Sequence, residues 1–464
     1  MELKYEKKNV YEKMNKVQEE AMFEYADDYL SFLNYAKTEY RCVEYFKMAL
    51  EEAGFKNISN IEGVLNPGDK VYYINKGRSI YAAIIGKEAI SSGMNIIGAH
   101  IDSPRLDTKP MPMFERENMA LLKTQYYGGV KKYQWLAIPL SMYGVIYNEN
   151  GERVEVVVGD KKDDPCFTIT DLLPHLAKDQ LELNANKFID PENMAVVIGS
   201  IPSKEEKDNK VKANILKILN KKYGIKEIDF ARSDIRFVPS FKAKYVGFDK
   251  GLIAGYGQDD RVCAYSTVKA IIDIANENKE LDKTAIALIV DKEEIGSVGN
   301  TSMSSQAFEI FVANLLDKVE ENSCNIALYT SMNNSKMLSA DVANAVDPMY
   351  EEVSDIQNSN IIGCGIAIEK YTGSGGKYSA SEASAEYTSY VMNLFDKNNV
   401  SYQMGTLGKI GKGGGGTIAY ILANKGIDVI DCGTAVLSMH SPYELTSTAD
   451  VYETYRAYKT FFLN

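Results

Sequence analysis

The sequence predicts an α/β protein in which a doubly wound, mixed sheet is interrupted by an inserted β-rich domain. Strand-length apolar runs alternate with helical patterns in the first and last parts of the chain, as in doubly wound sheets. The middle part instead carries short β-patterned segments separated by turns. At 464 residues the chain exceeds the usual size of one domain. We therefore predict a main domain formed by residues 1–106 and 242–464 and an inserted domain at 107–241.

The first part of the chain predicts helices followed by strands. Charged and apolar residues at helical spacing run from about residue 8 to residue 53 and end at Gly54, which indicates one or two amphipathic helices. The strand-like segments that follow are KVYYIN, SIYAAIIG and MNIIGAH. The last is nearly all apolar, as expected of a central strand covered on both faces.

The pattern changes between Asp107 and Phe241 and then returns. The insertion contains the β-patterned pieces IPLSMYGVIYN, RVEVVVGD and CFTIT, and then a charged helical stretch, SKEEKDNKVKANILKILNKK. After GYGQDDR, a helix (VCAYSTVKAIIDIANEN) and a strand (TAIALIVD) resume the α/β alternation. It continues through NIALYTSM, IIGCGIAIE, GTIAYILANKG and IDVIDCG.

Composition excludes several classes of protein. A formal net charge of −12 argues against a nucleic-acid partner, which requires a basic surface. The N-terminus lacks the apolar core of a signal peptide, and no apolar run is long enough to cross a membrane. The cysteines stand singly, as expected of reduced thiols, which disfavours a sulfur-bound zinc site. The cysteines are Cys42, Cys166, Cys263, Cys324, Cys364 and Cys432. From these features together we expect a cytoplasmic protein.

Polar residues follow the apolar runs, where α/β sheets gather their ligands. Taken singly, each has an ordinary explanation: a satisfied structural histidine, a solvated glutamate pair, or a helix N-cap at Asp259. Taken together, two of the chain's three histidines and several carboxylates favour a metal site. The residues are His100, Asp102, Asp259, Asp260, Glu293, Glu294, Asp341 and His440.

The residue types indicate which metals and what chemistry. Imidazole and carboxylate without thiolate suit zinc, cobalt or manganese in a hydrolytic site with open coordination positions. A pair of metals needs a bridging carboxylate and ligands on each side. On an extended segment His100 and Asp102 point the same way, so Asp102 could accept the second imidazole N–H. Glu293 and Glu294 diverge as neighbours, so one could bind a metal while the other faces water.

The glycine-rich run GTLGKIGKGGGGTIAY invites comparison with a nucleotide-binding P-loop. Gly405 lies six residues before Gly411 where the motif needs five, and Gly413 occupies the place of the required Ser or Thr. An NTPase is therefore disfavoured. A close backbone approach to substrate and a flexible loop both remain open explanations for the run.

The motifs resemble those of the M18 metalloaminopeptidases, the aspartyl aminopeptidase and aminopeptidase I group. GAHIDSPRLD, GQDDR, DKEEIGS, SADVANAVDP and SMHSPYE occur in the family's order, and the similarity extends over essentially the whole chain. The resemblance implies a zinc-peptidase catalytic domain with an inserted dimerisation domain. It also implies removal of acidic or neutral N-terminal residues from peptides, and a homododecamer built from dimers.

The resemblance also implies roles for individual residues. Glu293 becomes the general base and Asp102 the acid that orients His100, while Asp260 could equally pair with Arg261. The two-zinc ligands are His100, Asp259, Glu294, Asp341 and His440, with Asp259 as the bridge.

Substrate contacts are carried over in the same way. His175, in DLLPHLA, matches a histidine of the inserted domain that reaches a neighbouring protomer's active site. Lys370 and Lys377 match the region of a basic residue that binds acidic substrates, although the intervening TGSGG departs from the family pattern.

Other functions are compatible with the same residues. A related metal-dependent amidohydrolase or carboxypeptidase would use similar ligands, and a non-catalytic self-assembling cargo protein could keep the metal for stability. Glu293 argues against the last alternative, because a purely structural site has no use for a second carboxylate facing water.

Overall fold

A computed structural model describes residues 3–320, 325–373, 375–378 and 380–464. Its helices agree with the predicted pattern, with two amphipathic helices near the N-terminus. The helices are α1 (Lys16–Tyr35), α2 (Glu39–Glu52), α3 (Lys178–Leu181), α4 (Ala185–Phe188), α5 (Lys210–Tyr223), α6 (Gln258–Asn276), α7 (Ala307–Val319), α8 (Asn325–Asn334), α9 (Ala385–Lys397), α10 (Ala419–Ala423) and α11 (Thr448–Phe462).

The strands include the predicted segments KVYYIN and MNIIGAH in full. The strands are β1 (Lys56–Asn57), β2 (Lys70–Asn75), β3 (Ser79–Ile84), β4 (Met94–His100), β5 (Arg105–Arg116), β6 (Met119–Tyr127), β7 (Leu140–Tyr147), β8 (Arg153–Val158), β9 (Val196–Gly199), β10 (Ser233–Pro239), β11 (Lys244–Val246), β12 (Leu252–Gly255), β13 (Thr284–Val290), β14 (Lys336–Ser339), β15 (Ala343–Asn344), β16 (Ile366–Glu369), β17 (Tyr402–Met404), β18 (Asp428–Gly433), β19 (Ala435–Leu437) and β20 (Glu444–Ser447).

The described residues pack as two compact units. The first takes the described parts of Met1–Asp102, Ala243–Met439 and Tyr443–Asn464, and the second takes Ser103–Lys242 with His440–Pro442. The insertion therefore starts four residues before the predicted position 107 and ends one residue after 241. The tripeptide at 440–442 packs with the second unit although it lies far from it in the chain.

The first unit is built on a mixed sheet with helices on both faces. Its strand order is β1-β2-β3-β13-β4-β14-β18-β16-β17, and β4 is buried along its whole length. Ile97 lies in one apolar cluster with Phe46 of α2 and Phe461 of α11, whereas Ile96 lies in another with Phe311 of α7. Alternate side chains of β4 thus enter two different cores, which confirms the doubly wound α/β class.

The order of this sheet brings three strand ends together. Strand β4 is parallel to β13 on one side and to β14 on the other. His100 at the end of β4 pairs with Val290 at the end of β13, and Ser339 at the end of β14 pairs with Gly98. The segments that follow these strands therefore leave the sheet at one edge, where α/β proteins bind ligands.

A smaller sheet in the same unit has the order β11-β12-β20-β19-β15. In it Gly255 of β12 lies opposite Glu444 of β20. The chain passes from Gly255 through Tyr256 and Gly257 into α6, so this sheet determines where the first turn of α6 begins.

The second unit contains an antiparallel sheet of order β8-β7-β10-β5-β6-β9, in agreement with the predicted β-rich insertion. Helix α5 begins at Lys210, although the charged pattern predicted helix from Ser203. Asn209 has a left-handed backbone, and the Glu115 carboxylate accepts the N–H groups of Val211 and Lys212. Capping by a distant residue places the start of this helix, and local sequence does not reveal it.

In the described part of the chain, no helix is both long and apolar enough to cross a membrane.

A close backbone approach explains the glycine at position 433 of β18. A Cβ there would lie 1.9 Å from the carbonyl oxygen of Asp341. We expect Gly433→Ala to push the two backbones apart and to lower the free energy of unfolding by about 1–3 kcal/mol, the usual cost of overpacking. Calorimetric melting at one fixed scan rate measures the effect.

Gly63→Ala is the matched control, because a Cβ at Gly63 would meet nothing within 4 Å. Equal melting temperatures for Gly433→Ala and Gly63→Ala would contradict the prediction.

Candidate metal centre

Two groups of side chains capable of holding a metal converge at the sheet edge, and both include His100. Within each group the candidate ligand atoms all lie within 4.8 Å of one another. Among the described residues, one group is His100, Glu293 and Asp341, and the other group is His100, Asp259 and Glu294. The fold thus brings together five of the residues that the sequence analysis selected, from four separate stretches of chain.

The His100 imidazole presents its two nitrogens to different partners. Nε2 lies 3.2 Å from Asp259 Oδ1 and 3.9 Å from both Glu293 Oε2 and Asp341 Oδ1. Nδ1 lies 2.9 Å from the backbone oxygen of Asp102 and 3.3 Å from its Oδ1. An N–H at Nδ1 donates to Asp102 and leaves Nε2 as the donor atom for a metal, the usual arrangement of a metal-binding histidine.

The Asp102 carboxylate has a second role that the sequence analysis missed. Its Oδ1 accepts the backbone N–H of Glu293 and its Oδ2 accepts that of Glu294, each at 3.1 Å. These two residues open a short 3-10 turn, Glu293–Ile295, which follows β13. One buried carboxylate therefore holds both the imidazole and the turn that carries the glutamate pair. Contacts to backbone donors leave no pattern in a sequence.

Burial and the charges of neighbouring groups dominate the electrostatics of the site. Burial raises the pKa of Asp341 well above its usual value, and the charges of Asp260, Glu293 and Asp259 raise it further, against the lowering effect of His100. Burial lowers the pKa of His100, but its carboxylate partners more than reverse this, so the net shift is upward.

The donor set fits a divalent cation. Several carboxylates repel one another in a place where water screens them poorly, and a cation among them would offset that repulsion. Imidazole nitrogen and carboxylate oxygen without sulfur are ligands that zinc accepts in hydrolytic sites. The residues present therefore fit the zinc that the sequence analysis expected.

The adjacent aspartates Asp259 and Asp260 face different partners. Asp260 Oδ2 accepts the backbone N–H of His100 at 3.2 Å, while Asp259 faces the imidazole. Arg261, the alternative partner considered for Asp260, instead donates to the backbone oxygens of Tyr256 and Lys37, each at 3.2 Å. Asp260 thus positions the strand end that carries His100.

His440 and His175 lie in the second unit, outside the two groups described above. His440 has a left-handed backbone, and its Nδ1 lies 3.1 Å from the backbone oxygen of Gly129. A Cβ at Gly129 would lie 2.9 Å from that nitrogen, which explains the glycine. His175 is exposed in a short 3-10 turn, Pro174–Leu176.

The candidate substrate lysines lie in the first unit. Lys377 Nζ is 2.8 Å from Glu382 Oε1 and 4.2 Å from the ring centroid of Tyr371. The backbone oxygen of Lys370 accepts the N–H of Ala383. The same segment contains Ser374 and Ser379, which lie outside the described residues.

Comparison with known proteins gives one consistent family. A family model described as aminopeptidase I zinc metalloprotease (M18) matches residues 32–462. A probable M18 family aminopeptidase 1 of Borrelia garinii subsp. bavariensis is 45% identical over 459 residues, which cover 98% of this chain and 99% of the relative.

Solved structures agree with this assignment. The crystal structure of an M18 aminopeptidase from Thermotoga maritima matches with a TM-score of 0.94 and 42% identity, covering 99% of each chain. A structure described as an S. cerevisiae dodecamer shares the fold at a TM-score of 0.76 and 23% identity, over 94% of this chain and 96% of that one. By family model, sequence identity and fold, this chain belongs to the M18 family of zinc aminopeptidases.

Proposed function

We propose that this aminopeptidase uses two zinc ions to remove acidic or neutral N-terminal residues from peptides. The observation that carries the proposal is the convergence of two donor groups on His100, backed by Asp102. The residues that would hold the two ions are His100, Asp259, Glu294, Asp341 and His440, with Asp259 shared between them. Cobalt or manganese would suit the same nitrogen and oxygen donors.

Zinc at this site would polarise the scissile carbonyl and lower the pKa of a water molecule beside it. Glu293 would act as the general base that accepts a proton from that water and then returns it to the leaving amine. Both glutamates are partly buried, and they fall into different donor groups, Glu293 with Asp341 and Glu294 with Asp259. This separation supports different roles for the two neighbours, and the family resemblance assigns the ligand role to Glu294 and the proton-transfer role to Glu293.

Asp102 supports both roles by holding the backbone of the glutamate pair. Its carboxylate fixes the N–H groups of Glu293 and Glu294, so the two side chains leave the turn in different directions. It also fixes the ring orientation of His100 through Nδ1. We therefore propose that Asp102 keeps the proposed ligand Glu294 and the proposed base Glu293 in fixed positions relative to one another.

The acidic-substrate role of Lys377 rests on its position in the segment expected to bind the first residue of the peptide. Glu382 pairs with Lys377 at 2.8 Å, and both side chains are about half exposed. An acidic substrate would compete with Glu382 for the ammonium group, whereas a neutral one would leave the pair intact. This competition explains how one pocket would accept both kinds of N-terminal residue.

We further propose a cytoplasmic homododecamer built from dimers, with the insertion forming the dimer contacts. Five leucines around His175 are at least 48% exposed, which is a large apolar surface for one stretch of chain: Leu172, Leu173, Leu176, Leu181 and Leu183. In the assembly His175 would reach a neighbouring protomer's active site. The location is supported by free thiols at Cys42, Cys166, Cys263, Cys364 and Cys432, while Cys324 lies outside the described residues.

Removal of zinc should abolish the release of N-terminal amino acids from short peptides. We expect full activity to return at two equivalents of zinc per chain, because the proposed ligands hold a pair of ions. The chelator-treated, zinc-free enzyme is titrated with zinc, and the products are analysed by mass spectrometry. The titration gives the amount of N-terminal amino acid released and the number of zinc equivalents that restores the release. Peptides shortened from the carboxyl end, or zinc binding without hydrolysis, would contradict the proposal in favour of a carboxypeptidase or a cargo protein.

The glutamates Glu293 and Glu294 should not be interchangeable. We expect Glu293→Gln to keep most of its zinc while kcat falls by about 10²–10⁴, the usual contribution of a general base. Glu294→Gln should lose zinc as well as rate, because it removes a charged ligand. The two variants are compared by their zinc content per chain, measured by atomic absorption, and by kcat on one peptide. Identical behaviour of the two variants would refute the assignment.

Lys377→Met should reduce kcat/KM for peptides that begin with Asp or Glu by about fivefold, the size of an exposed charge pair. Peptides that begin with Leu should be unaffected. A panel that varies only the first residue measures the change. The matched variant Glu382→Gln should shift preference the opposite way, because it frees Lys377 from its partner. An unchanged preference in both variants would exclude Lys377 from the substrate pocket.

A further inference from the structure

Glu444 is a buried carboxylate of the SMHSPYE motif that the proposed mechanism does not use. It lies in β20 and is only 1% exposed. Its Oε2 accepts the backbone N–H of Asp259 at 3.1 Å. We propose that Glu444 is a positioning residue that holds the Asp259 backbone and thereby aims the shared carboxylate at the metals. The inference rests on the proposed role of Asp259 as the bridging ligand.

The backbone at Asp259 needs an acceptor from outside its own helix. Asp259 has φ −77° and ψ 110°, and Asp260 has φ −114° and ψ 29°, so neither is helical although both lie in the first turn of α6. N–H groups at the start of a helix have no intrahelical partner, and a buried one requires another acceptor. Glu444 supplies it at the residue whose side chain enters the candidate metal centre.

A second contact ties the preceding residue to the same place. Gln258 is fully buried, and its Nε2 donates to the backbone oxygen of Glu444 at 2.7 Å and to that of Ile253 at 3.2 Å. The hydroxyl of Tyr29 donates to Gln258 Oε1 at 3.3 Å. Glu444 therefore holds two successive residues, one through its backbone oxygen and one through its carboxylate, and the turn has little freedom to rotate.

The same kind of contact recurs at the ends of β4 and β13. Asp260 accepts the N–H of His100, and Asp102 accepts those of Glu293 and Glu294. Each is a buried carboxylate outside the proposed ligand set, and each accepts the backbone N–H of a residue in the two donor groups. Glu444 completes this arrangement for Asp259, because groups that orient metal ligands act mainly through such hydrogen bonds.

Two conservative variants separate the hydrogen bond from the charge of Glu444. Glu444→Gln keeps an oxygen of the same reach but removes the charge, whereas Glu444→Asp keeps the charge but withdraws the oxygen by one methylene. We expect zinc affinity within about threefold of wild type for Glu444→Gln and about 10- to 100-fold weaker for Glu444→Asp, the usual cost of losing a group that orients a ligand. Both ions should weaken together, since Asp259 is shared.

The measurement is equilibrium competition for zinc between the full-length protein and a fluorescent chelator, with kcat and KM recorded alongside. Glu453→Asp is the matched control: Glu453 is also 1% exposed and accepts a backbone N–H, that of Ser401, at 2.6 Å. Its variant should share any folding cost, seen as a lower melting temperature, but keep normal zinc affinity. Zinc loss in both Asp variants would show a general structural effect and overturn the proposal.

The remaining outcomes are equally decisive. Weak zinc binding by Glu444→Gln would show that the charge matters rather than the hydrogen bond, and would overturn the proposal. If Glu444→Asp does not fold, Glu444→Met takes its place, because it keeps the length of the side chain but removes the acceptor oxygen; normal zinc affinity in Glu444→Met would then overturn the proposal. Normal affinity in both Glu444 variants would also overturn the positioning role. Asp259→Asn distinguishes this failure from failure of the proposed function: if it binds zinc like wild type, Asp259 is not a ligand and the two-zinc proposal fails first.

Discussion

Repulsion among buried carboxylates is the constraint on which this structure depends. Asp259, Asp260, Glu293 and Asp341 all face the region around His100, and burial together with mutual repulsion raises the pKa of Asp341 well above its usual value. Such a cluster opposes folding unless the backbone around it is held by other interactions. The rest of the fold supplies them: a central strand buried along its length, parallel neighbours on both sides, and two apolar cores.

Four of the residues in the candidate metal centre are held at the backbone N–H by a buried carboxylate: His100, Asp259, Glu293 and Glu294. Asp102, Asp260 and Glu444 accept these N–H groups and leave the candidate ligand atoms to face one another. A side chain that bonded the candidate ligand carboxylates directly would compete with a metal for the same oxygens. Backbone acceptors avoid this competition, so the site is preorganised without being neutralised.

Much of the fold and site could be predicted from the sequence, and the remainder has identifiable physical causes. The apolar run MNIIGAH and the polar residues after it predicted a covered strand that ends at the candidate metal centre, because burial and strand ends leave local patterns. The start of α5 at Lys210 was missed because Glu115, far away in the chain, caps it. The contacts that Asp102, Asp260 and Glu444 make with backbone N–H groups were missed for a similar reason, since any type of residue can supply such a donor.

The two acidic pairs, one of aspartates and one of glutamates, show how similar dipeptides acquire different contacts. In Glu293–Glu294 the chain forms a 3-10 turn, where successive side chains diverge by about 120°, and both carboxylates reach the neighbourhood of His100. In Asp259–Asp260 the backbone is not helical, and the second carboxylate turns back to the N–H of His100. Both stretches are pairs of adjacent acids, so the different contacts of their carboxylates follow from the backbone conformation at each pair. The residues that hold this backbone are therefore as much a part of the candidate site as the residues whose side chains would bind the metal.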